Sequence, residues 1–125
     1  MARRRREAHE FRGRILYGIE SVASGSLVTL GKGNIFFITG TTAVNHILKT
    51  NWVNVARGTV VGEVVLILKG AITINHNAGS VPAGAAAIFL VGSAAYVGTD
   101  GDTLSLAYDS ISGVWREIGR TVLAA

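Results

Sequence analysis

From Ile15 onward the chain alternates short runs of β-branched and aromatic residues with Gly, Asn, Ser and Asp, and this punctuation limits the fold more than any other feature. The runs are ILYGIE (15–20), SLVTL (26–30), NIFFIT (34–39), AVNHIL (43–48), WVNVA (52–56) and EVVLIL (63–68). AITINH (71–76), AAIFLV (86–91), AAYVG (94–98), TLSLAYD (103–109) and VWREIG (114–119) follow. Their starts fall mostly 8–12 residues apart, with GKGN, PAG, DG and SG between them. Runs of this length bounded by turn residues read as strands, and no capped amphipathic window of helical period occurs beyond the N-terminus. The spacing predicts an all-β chain. LGKGN reads as a hairpin turn between SLVTL and NIFFIT. Alternation in AITIN and TLSLAY predicts strands with one face inward. EVVLIL is apolar on both faces and predicts a strand buried on both. The small residues of 83–95 suit close stacking of backbone layers or of subunits about an axis.

Charge divides the chain in two. Residues 1–14 hold six arginines against two glutamates, a net +4, while the remainder holds six basic and six acidic side chains. The basic character therefore belongs to an arm at 1–14, and the body at 15–125 is neutral. Twelve charges in 111 residues cover a monomer's surface thinly, which predicts burial of body surface against other copies. MARRRR looks like the start of a secretion signal, but EAHEFRGR follows where an apolar run is needed. No run approaches the 18 apolar residues of a membrane span. There is no cysteine, hence neither disulfide nor thiolate metal site.

Candidates for chemistry are few. ITGTTAVNHIL (38–48) sets His46 near Thr41 and Thr42, a possible base and nucleophile, but it lacks an orienting acid and a strained nucleophile turn. His46 and His76 fall late in strands without a second ligand at metal-binding spacing, and read as histidines bonded to backbone. GSLVTLGKGN (25–34) has five residues between its glycines and Gly33 where a phosphate-binding loop needs Ser or Thr. Asp100 and Asp102 flank Gly101 in a tight-turn sequence that lacks the calcium-loop pattern. Glu63 and Glu117 are isolated. These readings predict no enzyme, no cofactor and no metal. Trp115, beside Val114 and Ile118 and just past a turn, is predicted to anchor the core.

The arm is the most informative segment. Arg3, Arg4, Arg5, Arg6, Arg12 and Arg14 present forked donors to acidic or phosphate groups, and Phe11 adds one apolar contact. Such an arm suits nucleic acid, an acidic protein surface or a plain solvated tail; the body has no basic stripe and no RNA-binding signature with paired aromatics, which weakens the nucleic-acid reading.

In order along the chain, ITGTTAVNHI, VVLILKGAITINHNAGS and AAIFLVGSAAYVGTDGDTLSLAYDSISGVWREIGR resemble a module of tailed-bacteriophage virion proteins. Such modules occur in tail fibres, tailspikes and head decoration proteins. Residues 38–42, 70–78, 101–102 and Trp115 with Arg116 carry the likeness, which spans about 35–120. The resemblance implies a β-helix-like or β-sandwich module in an intertwined homotrimer. Tail fibres and spikes usually carry it within a longer chain, whereas here it fills most of the sequence behind a basic arm. The expectation is therefore a capsid decoration (cement) protein on the outer head surface of a virion. Its partners would be itself and the major capsid protein. The alternative is a small tail-fibre or tail-tip component that binds a receptor and docks on a tail protein.

Overall fold

The computed structural model describes residues 19–31, 33–49 and 62–123. The arm at 1–14, the first part of the run at 15–20 and the run at 52–56 with Trp52 lie outside them. Ten strands follow in chain order: β1 Ile19–Ala23, β2 Leu27–Val28, β3 Ile35–Thr39, β4 His46–Leu48 and β5 Glu63–Lys69. Then come β6 Thr73–Ile74, β7 Ala85–Phe89, β8 Tyr96–Val97, β9 Thr103–Asp109 and β10 Val114–Thr121. No helix occurs among the described residues, and the chain is all-β.

Eight strands form one sheet in the order β1-β3-β5-β9-β10-β7-β4-β2; β6 and β8 form a second, two-stranded sheet. The edge strands of the large sheet, β1 and β2, are consecutive in the chain with only residues 24–26 between them. Four Cα steps span at most about 14 Å, so the sheet must curl until its edges nearly meet. The outcome is a nearly closed, barrel-like sheet.

On one side, successive passes of the chain lie in parallel. β1 pairs with β3 from Ile19↔Ile35 to Ala23↔Thr39, and β3 pairs with β5 from Ile35↔Val65 to Thr39↔Lys69. Further along each pass β2 pairs in parallel with β4, and a parallel bridge joins Val44 to Ile74. Antiparallel strands then complete the sheet: β9 against β5, β10 against β9, and β7 against β4, with β7 parallel to β10.

The corners of the stacked passes explain their glycines. Ser24, Gly40 and Gly70 each follow a strand end in the shared register. A Cβ on Gly70 would lie 2.5 Å from the Gly40 carbonyl oxygen, and one on Gly40 would lie 2.9 Å from Ser24 Oγ. Gly40 also has φ +91°, where L side chains are strained. One backbone corner thus sits directly against the next.

Inside, period-2 alternation builds the core. Phe36 and Ile38 of β3, Val64, Leu66 and Leu68 of β5, and Leu104 and Leu106 of β9 are buried and share the inner face. Trp115 is fully buried at 0% exposure, and its ring packs edge-on against Tyr108 at 5.3 Å.

Three expectations are corrected. LGKGN does not close a hairpin: β2 pairs with β4 and β3 with β1, so the segment carries the chain from one pass to the next. The first strand extends beyond the run at 15–20, because the β1–β3 register continues through Ala23. β5 is not buried on both faces. Val64, Leu66 and Leu68 are enclosed, but Val65 and Ile67 stay half-exposed on the outside, where no described element covers them.

Candidate functional site

The histidine at the first corner is structural in its bonding. His46 is buried at the start of β4, and its Nε2 lies 3.1 Å from the Ala78 carbonyl oxygen, so that nitrogen carries the proton. Its Nδ1 is buried without a partner. Thr41 and Thr42 sit exposed at the corner before β4, and neither hydroxyl bonds the imidazole. His76 accepts from the Leu90 amide through Nδ1 at 2.9 Å and packs edge-on against Phe89. Both rings hold loops onto the sheet through backbone groups.

The two histidines belong to a repeat. Gly40, Val44, Asn45 and His46 recur as Gly70, Ile74, Asn75 and His76, thirty residues later. The parallel bridge between Val44 and Ile74 brings the asparagines together. Asn75 donates to Asn45 Oδ1 at 2.6 Å, and Asn45 donates to Ser26 Oγ at 3.0 Å. A polar ladder therefore runs across three passes. Reading each motif singly misses it; aligning the sequence with itself at an offset of thirty reveals it.

Asp102 is the second constellation. Sequence reading gives it a turn; the structure buries it at 1% exposure and surrounds it with donors. The Tyr96 hydroxyl, the Thr99 amide and the Thr99 hydroxyl bond its Oδ2, and the Leu123 amide bonds Oδ1 at 2.9 Å. The Tyr96 bond foremost, then the Thr99 and Leu123 amides, hold its carboxyl down at about 2. Burial, together with the Asp102 carboxylate, pushes the Tyr96 phenol up to about 12. The Arg120 guanidinium stacks on the Tyr96 ring at 4.1 Å. Asp102 thus ties the turn after β8 to the segment that follows β10. At 1% exposure and accepting four bonds from its own chain, the carboxylate is enclosed by the scaffold and does not face solvent.

Two further carboxylates, Glu117 and Asp109, are likewise engaged in the scaffold. Glu117 takes Arg120 at 2.7 and 2.8 Å and the Val91 amide at 2.8 Å. Asp109 takes Arg116 at 2.8 Å and the amides of Ile111 and Ser112, which fixes the β9–β10 hairpin; the Arg116 bond first, then these turn bonds, hold its carboxyl at about 2. Among the described residues no group of three His, Cys, Asp or Glu is placed to hold a metal ion.

What the fold presents outward is apolar surface. The outer face of β1, β3 and β5 shows Ile19 (49% exposed), Ile35 (38%), Phe37, Val65 and Ile67. A shallow groove on β10 is lined by Val91, Ile118 and Val122, with Glu117 and Arg120 between them. Trp115 lies in the core and belongs to neither surface. Arg3, Arg4, Arg5, Arg6, Phe11, Arg12 and Arg14 lie outside the described residues. Compared with protein-family models, with curated proteins and with solved structures, the chain matches none.

Proposed function

We propose that the chain is a structural virion protein, a homotrimeric capsid decoration protein that binds the outer head surface and stabilises the shell. The observation that carries this reading is the contrast between the inside and the outside of the β body. Inside, the titratable side chains serve loops and turns: Asp102 fastens the end of β10, and His46 and His76 bind carbonyl and amide groups. Outside, β5 leaves apolar residues at Val65 and Ile67 that need partner surface. A scaffold of this kind meets other macromolecules through its surface; its interior is occupied by its own packing.

The parallel passes favour a short β-helix-like module, as the phage resemblance implies. A trimer of such modules is what the same resemblance implies. The arginines of the arm then bind an acidic patch of the major capsid protein, three arms to a trimer. A tail-fibre or tail-tip component is the second reading. Stacked parallel passes favour it too, since they are a natural unit of an elongated fibre.

Position on the particle separates the two. An electron-microscopy map of particles with and without the protein is expected to show three-fold density at regular sites over the shell. Density confined to the tail would replace the decoration reading with the fibre reading, and density at neither place would overturn both.

A further inference from the structure

The trimer of the preceding section needs a contact surface. We propose that this surface is the outer face of β1, β3 and β5, occupied by a second copy of this chain. Copies are arranged head to tail, so that Lys69 of one meets Glu63 of the next.

The face is built by register. Ile19, Ile35 and Val65 are direct neighbours across the three strands, and Phe37 and Ile67 are neighbours two residues further along. Paired strands lie about 4.8 Å apart, so these side chains form two continuous apolar rows. The Lys69 ammonium leans over one of them, 5.7 Å from the centre of the Phe37 ring. Charge appears only at the two ends of β5. Glu63, Val65, Ile67 and Lys69 alternate to the same outward side, and Glu63 and Lys69 are both exposed. The strand therefore reads acid, apolar, apolar, base along its outer face.

That order points to a second copy rather than an unrelated partner. Six residues of strand separate Glu63 from Lys69 by about 20 Å, too far to pair within one chain. A cyclic trimer is held by heterologous contacts, in which each copy supplies two different complementary patches. The two ends of β5 are such patches. Three copies with these faces turned inward bring each Lys69 to the next Glu63, and the ring closes after three contacts. Both groups are exposed, and the contacts Lys69 makes with Phe37 and Asp100 are loose surface ones. Lys69 reaches Asp100 only at 3.9 Å, with the two side chains 44% and 69% exposed, and Glu63 has no ion pair among the described residues. The groove on β10 lacks this property, because its Glu117 and Arg120 already bond to each other.

The test is a charge exchange in the full chain. Lys69→Glu on its own would set a carboxylate beside Asp100, so every variant carries Asp100→Asn. Mass is read by sedimentation at micromolar concentration, and the near-ultraviolet signal of buried Trp115 reports folding. With Asp100→Asn alone, three chain masses are expected. Glu63→Lys and Lys69→Glu are each expected to give folded monomer, because each sets like charges at all three contacts. The double exchange restores opposite charges at every contact and is expected to recover the trimer, a rescue that only pairing between copies can produce. Phe37→Asp is a second route: a folded monomer supports the face. Folded single-exchange variants that remain trimeric, or a folded double exchange that stays monomeric, would overturn this face and leave the trimer standing on another surface. A recovered assembly of two chain masses would overturn the ring in favour of a two-fold pairing of the same face. A monomeric natural chain would overturn both the face and the trimer.

Discussion

The indole N–H of Trp115 on β10 donates to the carbonyl oxygen of Ile47 on β4 at 3.2 Å, across the intervening strand β7. The ring can reach because β7 presents Ala86 on that face, opposite Ile47, and keeps its bulk to Ile88, opposite Trp115. One side chain therefore ties together three strands and meets Tyr108 on a fourth. Trp115→Ala is expected to cost roughly 3–5 kcal/mol, as for large aromatic truncations in a core. Trp115→Phe should cost less, since it retains most of the packing and loses the hydrogen bond. Denaturant midpoints of the two variants check the order. A near-neutral Trp115→Ala would remove the ring from its place in the core.

Asp102 should make the fold acid-sensitive. Its carboxyl titrates at about 2 in the folded chain, below the ordinary value of about 3.9 in an unfolded one. A lowered folded pKa adds stability above the unfolded value and loses it as pH falls through the folded one. The loss should therefore develop between about pH 4 and pH 2, with Asp102 contributing on the order of 2 kcal/mol. Asp109 shifts in the same direction. Thermal melts across this range are expected to show a shallower acid slope for Asp102→Asn than for the natural chain. Equal slopes would contradict the assigned bonds.

Glycine at the corners is a packing requirement. Gly70→Ala drives a Cβ onto the Gly40 carbonyl oxygen, and Gly98→Ala drives one into Leu68 and toward the Ile72 carbonyl oxygen. Each is expected to destabilise by about 1–3 kcal/mol, the usual range for overpacking. Gly79→Ala is the control: nothing lies within 4 Å of its Cβ position, and its φ is not in the left-handed region. It should fall within about ±0.5 kcal/mol of the natural chain. A Gly70→Ala variant as stable as the Gly79→Ala control would contradict the close stacking of the passes.

These sites show what the sequence makes legible. Alternation marks β9 directly, because that strand buries one full face, whereas the doubly apolar β5 marks its strand but hides which face is outward, and β10 buries only Trp115. Pairing was not legible. Glycines in LGKGN look local, yet that segment links two parallel passes whose register is set by corners sixteen and thirty residues apart in sequence. The role of Asp102 was hidden for a related reason: its turn is local, but its burial depends on Tyr96 and on Leu123 twenty-one residues away. His46 and His76 were correctly given backbone partners, while the Asn45–Asn75 ladder beside them emerges only when the passes are superposed.

The arm is expected to carry attachment and to add little to folding. Its net charge is +4 and that of the body is zero, so the two parts can be separated. One exposed ion pair contributes about 0.2–1 kcal/mol, but several arginines on each of three arms act together. Deleting residues 2–14 should leave a folded trimer that no longer binds its particle, and binding of the intact protein should weaken as salt rises. Full-affinity binding by the truncated protein would move attachment onto the β body.

Self-association underlies the whole account, and its most direct test is the mass of the purified chain in solution. Sedimentation equilibrium at micromolar concentration is predicted to give about three times the 13.1 kDa chain mass, with no folded monomer on dilution until the trimer dissociates. A single species at 13.1 kDa with intact β structure would contradict the trimer, its contact face and the decoration role built on them.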